Sequence, residues 1–549
     1  MKVFSRLYGA WLRWLGLLVM LVLTAWACVS HPLAQPTPDP GIVSTGKVTV
    51  VPSRKLDLLF MVDNSPSMGP KQDKMAEQFP GLIKALEDPV DHTLPDLRVA
   101  IIDSDLGSGV SGKCTKSGRY GDKGQFQMRD AVSCGASADA RWLEFEKGKA
   151  VNFDEQKGMP EVFKCLATKV GVEGCGYEHQ LGAINWAFNL TDNKSQLDFL
   201  RAEAYLGVVI LTDEDDCSAT LSATMFNPDD TGNSTSLRCA TRGHTCEGVT
   251  LTEPTKAPVS VPYESCHART DATCEDGKDG PEATCNPLLN IKSLAANLKA
   301  LKGDEGEKKI LVAGIYGTPR KDDKSATRYV VDMATPQGSL VPVYDYWPIC
   351  YDLAFMPSGS GYDTTAAEHG ATGGLRISAF LNEFDADHRL SYSICESTFG
   401  PAMEGIGKQL RIIMKDLCVP FKVVDTSKDP GIQADCRVAY VRPAVDDKGN
   451  PVFDDKGNRV FNEDVAAIPK CDASRTNGCW ELKVGNENGT ADERDTAQRC
   501  RATATTPSQL INVVPKPGDT LDDGTQVVMY CLSCVDLSPG LPPKEGCDY

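Results

Sequence analysis

Short continuous apolar runs alternate along this chain with longer stretches whose apolar residues recur three and four positions apart. The runs "LDLLFMV" from Leu56, "LRVAIIDSD" (Leu97 to Asp105), "LGVVILTDEDD" (Leu206 to Asp216), "KKILVAGIYG" (Lys308 to Gly317) and "LSYSIC" (Leu390 to Cys395) predict buried strands. Between the first two, Lys71 to Asp88 places Met75, Phe79, Leu82, Ile83 and Leu86 on one helical face, with a bend expected at Pro80. "EHQLGAINWAFNL", "SQLDFLRAEAY", "IKSLAANLKALK" and "FGPAMEGIGKQLRIIMKDL" predict further helices. The alternation implies an α/β domain with a mostly parallel sheet covered on both faces. In such sheets, sites form at the carboxyl ends of the strands.

The pattern fails in four places, and each failure marks a boundary. Two Cys- and Gly-bearing insertions, roughly 107–160 and 217–287, read as surface excursions stapled by Cys114, Cys134, Cys239, Cys246, Cys266, Cys274 and Cys285. After Cys418 helical periodicity gives way to short β-like runs punctuated by Cys436, Cys471, Cys479, Cys500, Cys531, Cys534 and Cys547, which predicts a disulfide-rich β domain over 419–549. Within it, "DDKGNPVF" and "DDKGNRVF" (Asp446 to Phe461) read as hairpin turns. At the other end, Lys2, Arg6 and Arg13 precede an apolar run from Leu15 to Ala27, a secretory signal over 1–27. Residues 28–54, rich in Pro, Ser, Thr and Gly, read as a tether to an α/β domain at 55–418.

Charge and cysteine content narrow the class. A 549-residue chain with net charge -18 lacks the basic clusters that nucleic acid requires, so cations are its natural small ligands. Its 21 cysteines imply an oxidising compartment. Ala25-Trp26-Ala27 resembles an A-x-A cleavage site, and Cys28 resembles the lipid-bearing cysteine of a bacterial lipoprotein. Acylation of Cys28 would leave an even number of thiols to pair. Plain secretion, leaving one thiol unpaired, is the alternative.

The chemistry concentrates where the first strand ends. Asp63, Ser65 and Ser67 follow Val62 in one turn fixed by Pro66, and Asp213 closes the later strand "VVILTD". One carboxylate and two hydroxyls from one turn, with a second carboxylate from a neighbouring strand end, suit a hard divalent ion, Mg2+ ahead of Mn2+ or Ca2+. D-x-S-x-S after an apolar strand, with "ILTD" later, resembles the metal-ion-dependent adhesion site of a von Willebrand factor A domain. "GCGYEHQLGAINWAF", "VVILTDEDDCS" and "SYSICESTFGPAMEGIGKQL" are similar to bacterial surface-exposed and lipid-anchored members. The resemblance implies a Rossmann-like sheet flanked by helices, a metal at its upper edge and a partner carboxylate completing the shell.

One position departs from that pattern. Where the family offers a Thr hydroxyl before a helix, this chain has Glu178. As a third carboxylate ligand, Glu178 would leave the site net negative, disfavouring an acidic partner group and pointing to a structural or Ca2+-like ion. As a helix-start residue it would instead face the helix dipole. A second cation held by Asp215 or Asp216 with Asp103 or Asp105 competes with a plain solvated acidic loop. "CEDGKDGPEATC" (Cys274 to Cys285) lacks calcium-loop spacing, and Cys531-Leu532-Ser533-Cys534 reads as structural rather than redox-active.

No G-x-S-x-G, H-E-x-x-H or P-loop occurs, and Ser65 and Ser67 lack an evident base; His179, beside Glu178, is the one candidate to approach them, and a loop His near a site is more often a bystander. The reading is therefore an exported, non-enzymatic protein of the bacterial cell envelope, held to the membrane through its N-terminal lipid. Its metal face would bind a protein or glycan ligand. A structural envelope protein with a fold-stabilising metal and an exported metal-dependent hydrolase are the alternatives.

Overall fold

The protein is described here by a computed structural model. It covers residues 43–50, 55–87, 93–108, 121–189, 191–202, 204–220, 226, 233–246, 249–250, 266–270, 286–303, 306–318, 331–334, 343–352 and 369–415. Beyond these, the C-terminal part is described at 419, 422–426, 432–444, 446, 452, 461–472, 474, 478–500, 508–514 and 526–534. The signal segment, Cys28, the duplicated Asp-Lys-Gly-Asn turns and the Cys274 to Cys285 loop lie outside the described residues.

The first strand in the chain, β1 (Val43–Val50), belongs to the C-terminal sheet. The α/β sheet comprises β2 (Lys55–Val62), β3 (Asp96–Asp103), β4 (Leu143–Glu146), β5 (Lys149–Ala150), β6 (Tyr205–Leu211), β7 (Ile310–Tyr316) and β8 (Arg389–Ser393). Its order is β8-β7-β6-β2-β3-β4-β5. The five strands from β8 to β3 run parallel, and β4 and β5 add an antiparallel edge. This edge hairpin lies within the stretch read as a surface insertion, so part of that excursion extends the sheet.

Helices cover both faces: α1 (Gly69–Leu86), α2 (Gly158–Thr168), α3 (Gln180–Ala187), α4 (Thr235–Gly243), α5 (Ile291–Ala300), α6 (Leu375–Asn382) and α7 (Gly400–Lys415). The period-two geometry of a strand sends alternate β2 side chains into two cores. Leu58, Phe60 and Val62 meet Phe79 of α1, Phe163 of α2 and Met403, Ile406 and Leu410 of α7. On the opposite face, Leu59 and Met61 meet Ile184 of α3, Leu294 of α5 and Phe380 of α6. A strand buried on both faces has to be apolar throughout, which is why it appears as an uninterrupted run.

Sequence and structure differ in instructive places. The helix expected at Ser195 to Tyr205 is only a 3-10 turn, Lys194–Phe199, where the Gln196 amide bonds the carbonyls of Gly124 and Ala187 and β6 begins at Tyr205. α6 is not among the helices the sequence pattern predicts, nor is α2, whose Met159, Val162, Phe163 and Leu166 follow helical spacing at and beyond the end of the stretch read as an insertion. Residues 43–50 of the presumed tether form a strand rather than a free linker.

The C-terminal part is a second β unit with its own core around Val438, Trp480, Leu510 and Met529. β9 (Cys436–Pro443), β10 (Phe461–Ile468) and β13 (Gln526–Cys534) join β1 in an antiparallel sheet of order β1-β13-β9-β10. β11 (Cys479–Val484) and β12 (Gln509–Val514) form a separate pair. Six disulfides occur among the described residues: Cys134–Cys165, Cys217–Cys239, Cys246–Cys266, Cys350–Cys395, Cys436–Cys531 and Cys471–Cys479. Two staple the 217–287 insertion and two the β unit, as the cysteine-rich sequence implies, and their number fits an oxidising compartment.

Candidate metal centre

Strand order decides where this site lies. The chain leaves β2 for β3 on one side and later returns to β6 on the other, so the carboxyl ends of β2 and β6 flank the topological switch point, where loops diverge and leave a crevice. Val62 pairs with Leu211, and the Asp63 N–H donates to the Leu211 carbonyl at 2.9 Å. The sheet register itself therefore brings the residues after each strand, Asp63 and Thr212-Asp213, to one place.

The turn after β2 is built by its own side chains. Asp63 Oδ1 accepts from the Ser65 N–H at 2.8 Å, and Pro66 opens the 3-10 turn Pro66–Met68. This sets Ser65 Oγ 3.3 Å from Ser67 Oγ. Thr212 Oγ1 donates to Asp63 Oδ2 at 2.6 Å, and Gln72 donates to the Asp63 carbonyl at 2.8 Å. Behind the turn, the Gly174 N–H donates to the Asn64 carbonyl at 2.9 Å, so close that a Cβ on Gly174 would stand 2.0 Å from Asn64 Oδ1.

Asp213 and Glu178 complete the acidic face. Asp213 is buried, with Oδ2 bonded to the Lys71 ammonium and Oδ1 lacking any hydrogen-bond partner. Glu178 is likewise buried, with Oε2 accepting from Ser104 Oγ at the end of β3 and Oε1 unpartnered. Glu178 does not serve the α3 N-terminus; Asp216 and Ser218 accept the Leu181 and Gly182 N–H groups instead. Burial, reinforced by the charge of Asp213, pushes the Asp63 carboxyl up to about 6. Burial, followed by the charges of Asp63 and Glu214, raises Glu178 well above the carboxylate range, and Glu214 is raised by burial and then by Asp213 and Asp63.

Four mutually repelling carboxyls thus share a desolvated crevice with one ammonium, and two buried carboxylate oxygens have no donor. Unpaired buried oxygens of this kind are costly unless a cation or proton satisfies them. The donor set, carboxylate and hydroxyl oxygen, fits a hard divalent ion. Among the described residues no cluster of three or more Asp, Glu, His or Cys side chains could hold a metal. A cation here would therefore depend on the hydroxyls of Ser65 and Ser67 as well as on Asp63 and Asp213.

The acidic run behind Asp213 has other employment. Asp215 accepts from the Arg376 and Ile377 N–H groups at the start of α6, and its Oδ2 lies 2.5 Å from His244 Nε2. Asp216 accepts from Leu181 N at 2.9 Å and from Arg376 Nε at 3.0 Å. These residues tie two helix N-termini to the end of β6, whereas Asp103 and Asp105 lie beside Asp122, whose charge and hydrogen bond help burial to raise Asp103. Asp215 and Asp216 are thus taken up by α3, α6 and His244, whereas Asp103 and Asp105 group with Asp122, and Asp103 Oδ2 has no hydrogen-bond partner. His179 turns its Nε2 to the Gly107 carbonyl at 2.9 Å, and burial lowers its pKa. Cys531 is bonded to Cys436, in keeping with a structural role for the Cys531 to Cys534 pair.

Sequence reasoning missed Lys71, Ser104, Thr212 and Glu214. Thr212 is visible within "ILTD", and its hydroxyl donates to Asp63 Oδ2, from a different loop than the family's Thr. The others depend on loops meeting across the sheet.

No family model matches the sequence, and no curated protein matches it. The pilus adhesin SpaC from Lactobacillus rhamnosus GG, in its open conformation, is similar at 10% identity and a TM-score of 0.28, over 92% of this chain and 44% of that one. The human COPII-coat protein Sec24c is similar at 10% identity and a TM-score of 0.25, over 89% of this chain and 42% of that one. The vWF domain of the type V pili tip protein Mfa5 from Porphyromonas gingivalis gives 9% identity and 0.26, over 67% and 97%. The chain spans under half the length of the first two. Likenesses of this depth do not bear on function, which rests on strand order and loop chemistry.

Proposed function

We propose that this chain is an exported, non-enzymatic binding protein of the bacterial cell envelope that captures a protein or glycan through a divalent cation held at the β2/β6 switch point. Supporting this reading is one observation: Asp63, Ser65, Ser67 and Asp213 converge there, with a buried carboxylate oxygen of Asp213 left unpartnered. Asp63, Ser65, Ser67 and Asp213 would hold the ion, Mg2+ ahead of Mn2+ or Ca2+, with the charge of Asp63 felt at the buried Glu178 carboxyl nearby. When bound, the cation supplies a Lewis-acidic point to which a partner's oxygen can attach. The chain's own residues fix the hydroxyl turn, exclude water from the carboxylates and present the surrounding loops. Acylated Cys28 would tether the protein to the membrane.

Pull-down from envelope extract with Mg2+, repeated with EDTA and with Asp63→Ala or Ser65→Ala, tests the reading. Capture should disappear in all three while circular dichroism stays unchanged; capture indifferent to EDTA and to both variants refutes it. The buried, unpartnered Oε1 of Glu178 motivates a second reading, in which a third carboxylate would make the metal fold-stabilising. Its signature is a fall in melting temperature on chelation, with no metal-dependent partner.

A further inference from the structure

Lys71 stands where the site's chemistry least leads one to expect a cationic side chain. It lies in the first turn of α1, four residues after Ser67, and its side chain is buried. Its ammonium donates to Asp213 Oδ2, to the Gly370 carbonyl at 3.1 Å and to the Ser67 carbonyl at 3.4 Å. The Asp213 backbone is in turn held by the 369–374 loop, through the Thr372 N–H at 2.8 Å and its hydroxyl at 3.3 Å. An ammonium is a compact hard cation on a flexible stem, and it uses the same kind of oxygen donors as a metal ion.

We propose that Lys71 is a built-in competitor for the cation, setting the affinity and the charge threshold of the site; this rests on the metal reading above. A cation drawing on the Asp213 carboxylate must displace the ammonium or share the carboxylate with it; where it displaces it, the apparent dissociation constant is the intrinsic one divided by the fraction of molecules in which Lys71 has swung away. Monovalent ions offer no more charge than the ammonium already in place, whereas a divalent ion offers twice as much, and the site is thereby biased towards divalents. Release of Lys71 also breaks its bond to Gly370, which links occupancy to the loop leading into α6.

Calorimetric titration of the full chain with Mn2+, after chelator treatment, tests this with four variants. Lys71→Met keeps the stem and removes the charge; Lys71→Arg keeps the charge; Lys74→Met removes a cation one turn away that pairs with Asp352 instead; Asp63→Asn removes a ligand. Lys71→Met should bind Mn2+ about tenfold or more tightly than the native chain, as expected when a directly contacting charge is lost. Lys71→Arg should remain close to native affinity, Lys74→Met should shift it little, and Asp63→Asn should abolish binding. Equal tightening by Lys74→Met and Lys71→Met would reduce the effect to general charge and overturn the proposal. Unchanged affinity in Lys71→Met, with binding still lost in Asp63→Asn, would overturn it while leaving the metal site standing. No Mn2+ binding by any variant would remove both. Should Lys71→Met not fold, amine acetylation of the native protein read by mass spectrometry serves instead. Labelling of Lys71 should rise on Mn2+ addition relative to Lys74, and an unchanged ratio under saturating Mn2+ refutes displacement.

Discussion

Asp63 concentrates the site's electrostatic conflict in one side chain. It holds its own turn through Ser65, accepts a hydrogen bond from the Thr212 hydroxyl, and yet is raised from 3.8 to about 6 because burial and Asp213 oppose its charge. Asp122 is raised to about 6 as well, mainly by burial, and Glu178 and Glu214 are raised with them. A carboxyl raised on folding binds a proton that the unfolded chain does not, so folding gains as pH falls through about 6 towards 3.8. His179 acts in the opposite sense. Its lowered pKa means that the unfolded chain takes up a proton near 6.5 that the fold refuses. With several carboxyls against one imidazole, the melting temperature in EDTA should be higher at about pH 5.5 than at about pH 7.5, and Asp63→Asn should shrink the difference. A melting temperature that falls over this interval would contradict the assignment. The Asp63 to Ser67 turn and Asp213 are legible in the sequence because a local motif and a strand end are one-dimensional signals. Lys71 is legible only as a helix residue, since its partner Asp213 is 142 positions away and only the parallel register brings them together.

At the scale of elements, α1 holds the β2 turn in place from beneath. Phe79 stacks on Phe163 of α2 with centroids 3.8 Å apart, and both rings lie against Phe60 of β2. Phe79→Ala should cost about 3–5 kcal/mol, read from chemical denaturation, because a close-packed core does not collapse onto so large a cavity. Gly407 of α7 shows the same tightness, since a Cβ there would stand 2.6 Å from the Leu82 carbonyl of α1. At the opposite end of β2, buried Asp57 pairs with Arg201 at 2.8 Å and Lys302 at 3.3 Å. Asp57→Ala would leave two cations without their counter-charge and should destabilise the domain by about 3–5 kcal/mol without altering Mn2+ affinity. Strands and long helices are readable from period alone; β4, β5 and α2 are obscured by the Gly- and Cys-rich stretch around them. Asp57 looks like a flaw in an apolar strand until Arg201 and Lys302 are placed beside it.

For the whole molecule, the order of the sheets matters more than any one contact. β1 precedes the α/β domain yet completes the sheet formed after it, pairing Val43 with Cys534 and Val50 with Val527. The α/β domain is therefore an insertion within the β unit's own sheet. Removal of residues 43–50 should leave β13 as an open edge prone to intermolecular pairing. Calorimetry should then show a lowered transition for the β unit and an unchanged one for the α/β domain; a single transition lowered as a whole would mean that the two parts unfold together. The sequence hides this strand because Ser, Thr and Gly dominate it and its partner lies at the far end of the chain. The same topology fixes how the molecule transmits force. Tension applied between the N-terminal side of Val43 and the α/β domain runs lengthwise along β1, whereas a pull on the rest of the β unit would drag β1 along β13 and load the rungs of that ladder together.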